Sequence, residues 1–180
     1  MENKTFDLMY FENHFHHGKC MMKVDGATAY LSENDDCYLM TFYPDDGNPC
    51  CRQLRFDSVT LRIVEEGCFL YNGSERIGEW VEYDPEGHVS NRTDFDQEHF
   101  PFKWEKVAAL LKEKGLGYDD MQIITRSIQP DGRGVWKVMA FRKPHVQEDI
   151  SIDGIDGTIL AWDEKQVRSE SNFRKTLTTE

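Results

Sequence analysis

Glu66-Gly-Cys-Phe-Leu-Tyr-Asn-Gly-Ser-Glu-Arg-Ile-Gly-Glu-Trp-Val-Glu-Tyr-Asp-Pro-Glu-Gly-His88 is the stretch that decides the fold. It holds two turn signals, Asn72-Gly73 and Asp84-Pro85-Glu86-Gly87, with the strand-like run Glu79 to Tyr83 between them. Asn-Gly and Asp-Gly supply the positive-φ positions of hairpin turns, and proline presets an early turn position. Toward the N-terminus the same signals recur in Val24-Asp-Gly-Ala and Tyr43-Pro-Asp-Asp-Gly-Asn, beside the strand-like runs Cys37 to Tyr43 and Ser58 to Val64. In the latter, Val59, Leu61 and Ile63 alternate with Thr60 and Arg62, the period of a strand with one buried face. Residues 1–100 therefore predict an antiparallel meander of short hairpins.

Toward the C-terminus the period changes. After an aromatic stretch broken by Pro101, the residues Trp104, Val107, Ala108 and Leu111 fall at i, i+3, i+4 and i+7, so they share one helical face. Gly115 suits the helix C-cap, with Lys112 and Lys114 near the negative end of the dipole. Strands are expected at Met121 to Ile128 and Gly134 to Arg142 around Gln129-Pro-Asp-Gly-Arg-Gly, and a further hairpin from Asp149 to Trp162 through Asp153-Gly-Ile-Asp-Gly-Thr. The fold class is α+β: an antiparallel β-meander followed by one helix packed on a small antiparallel sheet. The expected divisions are an acidic hairpin region over 1–100, a helix with four strands over 101–163, and a polar, fraying tail over 164–180.

The 180 residues are 39 % hydrophobic and 12 % aromatic, enough for a packed core. No apolar run reaches the roughly 18 residues of a membrane span, and Met1 to Tyr10 lacks the basic-then-apolar layout of a signal peptide, so a cytoplasmic protein is expected. In that setting the sequons at Asn72 and Asn91 are not read. The net charge is −12, and residues 1–100 hold all of it, with 8 Lys and Arg against 20 Asp and Glu. Such a field repels nucleic acid and anionic membranes and speeds encounter with a basic protein. Surface acidity also serves plain solubility.

Candidate chemistry is sparse. His14, His16 and His17 with Cys20 form the one cluster suited to zinc or nickel, although on a strand His17 would point away from the other two, and no metal or cofactor is expected. Asp153-Gly-Ile-Asp-Gly and Asp45-Asp-Gly-Asn-Pro have oxygen donors but no EF-hand frame, and read as hairpin turns. Arg52 beside Cys50-Cys51 would favour a thiolate, yet no hydrolase signature surrounds them, and five cysteines without CxxC spacing read as reduced structural thiols. The carboxylate pairs Asp35-Asp36, Asp45-Asp46, Glu65-Glu66 and Asp119-Asp120 are too common to mark a glycosidase. There is no Gly-rich phosphate loop, GxSxG or HExxH, so no enzyme is expected. Trp80, Tyr83, Trp104, Trp136 and Trp162 read as core or half-exposed sheet residues.

Two turns, Tyr43 to Pro49 and Tyr83 to Val89, share aromatic, acidic and glycine positions 40 residues apart, which suggests a repeated hairpin. Over residues 40–96 the chain resembles bacterial MORN-variant repeats, carried here by Gly73, Gly78, Trp80, Tyr83, Asp84 and Gly87. Residues 101–163, with Asp153, Gly154 and Gly157 in the final turn, resemble a PepSY-type module in fold alone. The MORN resemblance implies a non-catalytic immunity or antitoxin protein that neutralises a basic bacterial toxin through an acidic surface. On that reading the contacts come from Asp45, Asp46, Glu79, Glu82, Asp84, Glu86, Asp94 and Asp96. Alternation places Glu79 and Glu82 on opposite faces, so only a subset can meet one partner. The alternatives are a general scaffold module, or a small-ligand binder or divergent enzyme with a pocket between the two halves.

Overall fold

The computed structural model describes Met9 and residues 20–24, 26–71, 75–96 and 98–167. Two antiparallel sheets follow one another along the chain. Seven strands form the first in sequence order: β1 (Cys20–Val24), β2 (Ala27–Glu33), β3 (Cys37–Pro44), β4 (Cys50–Asp57), β5 (Ile63–Leu70), β6 (Glu75–Tyr83) and β7 (Val89–Asp94). Helix α1 (Trp104–Glu113) and a 3₁₀ turn at Tyr118–Asp120 lead into the second, made of β8 (Met121–Ile128), β9 (Gly134–Lys143), β10 (Val146–Asp153) and β11 (Ile159–Gln166) in the order β11-β10-β9-β8. The protein is mostly β with this helix, consistent with α+β.

The register shows why the meander holds. Leu31, Met40, Leu54, Glu66 and Val81 are successive cross-strand partners, so they stand on one face, beside Cys20, Tyr38, Phe56 and Ile63. Strand pairing of this kind is stabilised by such same-face neighbours. β6 bulges against β5: Val81 pairs with Glu66 and Ile77 with Cys68, leaving Gly78, Glu79 and Trp80 opposite Gly67. The Trp80 ring lies directly over Gly67, where a Cβ would come within 2.2 Å of it, and its indole N–H donates to the Cys68 carbonyl at 2.8 Å. Gly67 is therefore a seat for the Trp80 ring, and Arg76 stacks on the same ring at 4.0 Å.

The expected strand at Ser58 to Val64 is corrected. Residues 58–60 form the β4–β5 turn, Val59 is 87 % exposed, and Leu61 has a φ of +57°. Asp57 sets this turn, its Oδ1 accepting from the backbone N–H of Val59 and Thr60 and from the Thr60 hydroxyl at 2.8 Å. A carboxylate that binds the backbone two and three residues on outcompetes a short alternating pattern. The strand begins instead at Ile63 and runs to Leu70.

In the second half, α1 buries Trp104, Val107, Ala108 and Leu111, the face read from the sequence, against the inner face of β8–β11. Full burial of a side chain such as Val107 or Leu111 stabilises by about 1.5–3 kcal/mol. The helix ends in a Schellman motif, with Leu116 N–H bonded to the Leu111 carbonyl and Gly115 N–H to that of Lys112, both at 3.0 Å. The same core cluster takes in Leu70 and Ile77 of the first sheet, so it crosses the junction between the halves. The tail reading is corrected at its start: β11 runs to Gln166, held by pairing of Glu164 with Glu148 and Gln166 with Val146. Residues 168–180 lie outside the described residues.

Candidate functional site

Antiparallel order gives the first sheet two ends of different character. At one end, turn β3–β4 meets the helix: the Trp104 indole N–H donates to Asn48 Oδ1 at 3.2 Å, and Asn48 Oδ1 also accepts from the Cys50 N–H. Arg126 of β8 reaches across to the same end. Its Nη1 donates to Asp96 Oδ1 and to the Phe95 carbonyl, both at 3.0 Å, its Nη2 bonds the Arg76 carbonyl, and its guanidinium lies 4.8 Å from the Phe100 ring. The Arg126 and Asp96 side chains are 7 % and 5 % exposed, a buried pair that ties the sheets together. Burial holds the Asp96 carboxyl above the usual carboxylate range, outweighing the pull of Arg126.

The other end is far from that junction. It consists of turns β2–β3, β4–β5 and β6–β7, linked side by side: Ser58 N–H donates to the Asp36 carbonyl at 3.2 Å, and Arg62 Nη1 bonds the Pro85 carbonyl. Glu33, Asp35, Asp36, Glu82 and Glu86 are exposed there, with Val59 at the middle turn. Among the described residues, Glu33, Asp35, Asp36 and Glu86 have no side-chain ion pair or hydrogen bond. Asp84 accepts the His88 backbone N–H at 2.8 Å, and that bond holds its carboxyl below the usual range. Thr60 does the same for Asp57. Asp57 and Asp84 therefore keep their charge further into acid than ordinary carboxylates.

The sequence-derived acidic residues divide between these ends. Asp84, Glu86 and Glu82 lie at the free end. Glu79 is exposed in mid-strand and paired with Arg92; regular pairing of Glu79–Glu82 with Asn91–Asp94 sets Glu79 and Glu82 on opposite faces, as alternation requires. Asp45 sits at the junction end, where its Oδ1 accepts from Lys23 at 2.7 Å and from Thr28 at 2.9 Å. Asp46 and Asp94 cap their own turns, accepting from the N–H of Asn48 and Asp96. Asp96 is buried and faces Arg126, not a partner. The two similar turns of the sequence, after Tyr43 and after Tyr83, join β3 to β4 and β6 to β7; three strands, β4, β5 and β6, separate them, so they lie at opposite ends of the sheet.

Sequence reasoning missed several residues. Glu33, Asp35 and Asp36 belong with Asp84 and Glu86 only because the meander brings alternate turns together. Glu148 is fully buried, held by Arg142 through Nε to Oε1 and Nη2 to Oε2 at 3.0 Å each and by the Trp162 indole N–H at 2.8 Å, while Arg142 Nη1 also bonds the Lys114 carbonyl at the helix end. Its signal was legible: Glu148 breaks the apolar column Val146, Ile150, Ile152. Tyr30, Tyr43 and Tyr71 form an edge-to-face series at 5.2 and 5.9 Å along an open groove of about 630 Å³ shared with Thr28, Thr41 and Asp45. The Asn72-Gly73 turn and the cluster His14, His16 and His17 lie outside the described residues. Among the described residues there is no group of three metal-donor side chains, and no helix is long and apolar enough to cross a membrane.

No family model matches the chain, and no curated protein matches it. Among solved structures it is similar to a "putative lipoprotein" from Clostridium difficile 630 at 15 % identity, over 88 % of this chain and 89 % of that one, with a TM-score of 0.29. That likeness carries no argument about this chain.

Proposed function

We propose that this chain is a non-catalytic binding protein that takes a basic protein partner on the acidic free end of its seven-stranded sheet. The observation that carries the reading is the row of three linked turns, with four exposed carboxylates that have no side-chain partner among the described residues and the exposed Val59 at its middle. Carboxylates exposed to water steer a basic surface during encounter, and an apolar side chain among them adds contact area once docked. Neutralisation of a basic toxin domain is the form of this activity that the MORN resemblance of residues 40–96 implies.

The test compares the wild-type chain with the fourfold variant Glu33→Lys, Asp35→Lys, Asp36→Lys and Glu86→Lys as baits in the native host's extract. A basic protein held by the wild type, released by salt and lost from the variant supports the reading. Equal retention of that protein by the variant removes the free end from the interface. A second reading, capture of a small ligand, has the tyrosine groove in its favour; titration of tyrosine fluorescence with candidate ligands in wild type and Tyr43→Ala tests it.

A further inference from the structure

Cys50 and Cys68 stand diagonally on adjacent strands and on the same face of the sheet: Cys50 pairs with Leu70, and Arg52 pairs with Cys68. The register sets the two side chains as diagonal neighbours on that face, one strand apart. Both are free, half-buried, and packed against the core cluster that joins the two sheets. Charged groups face Cys68 from both strands and from the helix: Arg52 on β4, Glu66 on β5 and Glu105 on α1. The neighbouring Cys50 thiol and then the Arg52 charge favour the Cys68 thiolate, and they hold this thiol below the usual cysteine range against the opposing effect of burial. Cys51 differs in each respect, being fully buried, on the opposite face, and pushed up by burial to about 12.

We propose that Cys50 and Cys68 form a redox pair that hydrogen peroxide closes to a disulfide between β4 and β5 and that a dithiol reopens. The Cys68 thiolate attacks one peroxide oxygen; the O–O bond breaks, an S–O bond forms, and the departing hydroxide takes a proton from solvent. The Cys50 sulfur then attacks the Cys68 sulfur; the S–S bond forms, the S–O bond breaks, and the leaving hydroxide takes the Cys50 proton as water. Two thiols lose two electrons in all, and one peroxide becomes two waters. A dithiol restores both thiols by exchange and is itself oxidised to a disulfide. Diagonal same-face neighbours on paired strands lie roughly 7–8 Å apart, so closing the bond draws β4 and β5 together locally.

The test treats the full chain with hydrogen peroxide, blocks remaining thiols with N-ethylmaleimide, and maps the peptides by mass spectrometry. The expected product joins the peptide bearing Cys68 to the one bearing Cys50, lighter by two hydrogen atoms, sensitive to dithiothreitol, retained in Cys51→Ser and lost in Cys68→Ser. The wild-type map decides the matter even where a variant fails to fold. A bond through Cys51, alkylation of both Cys50 and Cys68 after peroxide, or over-oxidised Cys68 beside a free Cys50 would each overturn the proposal.

Discussion

The two ends of the seven-stranded sheet carry the same residue type and use it in opposite ways. At the junction end five described carboxylates are engaged: Asp96 and Glu75 with Arg126, Asp45 with Lys23, and Asp46 and Asp94 with backbone N–H groups. At the free end Glu33, Asp35, Asp36 and Glu86 face water. The difference teaches that acidity in this half of the chain is two things, a structural clamp and an open surface. Formal charge does not separate them; strand order does.

Breaking the clamp is expected to have the largest effect. Arg126→Met leaves the buried Asp96 without its cation and strips hydrogen bonds from the Phe95 and Arg76 carbonyls. Removing one partner of a buried pair costs about 3–5 kcal/mol, so a large fall in the urea midpoint is expected. Asp96→Asn, which removes the buried charge but keeps an acceptor for Arg126, is expected to lose less; an equal loss in both would place the strength of the junction in the charge alone. Gly67→Ala comes next. Its Cβ would meet the Trp80 ring, and overpacking of this kind costs about 1–3 kcal/mol, read by the same unfolding curve together with a shift in tryptophan emission.

A smaller effect separates a turn-setting carboxylate from the open ones around it. The Asp57 carboxyl is held low by its Thr60 and Val59 bonds, so its stabilisation is present above the unfolded carboxylate pKa and fades as pH falls through the lower folded value. Urea unfolding of Asp57→Asn below about pH 4 is expected to show a flatter loss of stability than wild type over that window. The smallest effect on folding is expected at the open surface. The fourfold lysine variant of Glu33, Asp35, Asp36 and Glu86 stays within about 0.5 kcal/mol of wild type, since these side chains bond nothing in the described structure. Its effect appears in partner association instead, as a slower rate and a reversed salt dependence. A large stability loss there would erase the contrast between the ends.

Helix α1, its buried face and its glycine end were legible because they rest on local periodicity and capping. So were the strands at Cys37, Glu79, Met121 and Gly134, where turn chemistry brackets the run. The Ser58 to Val64 reading failed where a single side chain, Asp57, bonds the backbone ahead of it, a local competition that alternation of apolar residues does not reveal. Arg126 and Glu148 gave only a partial sign, a charge inside an otherwise apolar column, with partners fixed by pairing 30 residues away for Asp96 and by a hairpin return for Arg142.

By itself the sequence determined the turns marked by glycine and proline, which half carries the charge and which helical face is buried, since each depends on neighbours within a few residues. The tertiary structure alone decided which acidic residues meet. Each strand reversal sends successive turns to opposite ends of the sheet, so Asp36, Asp57 and Asp84 converge while Asp45 and Asp96 are carried to the junction. It also decided which cysteines share a face, because Cys50 and Cys68 stand diagonally across a strand pair while the chain neighbour Cys51 points to the other face.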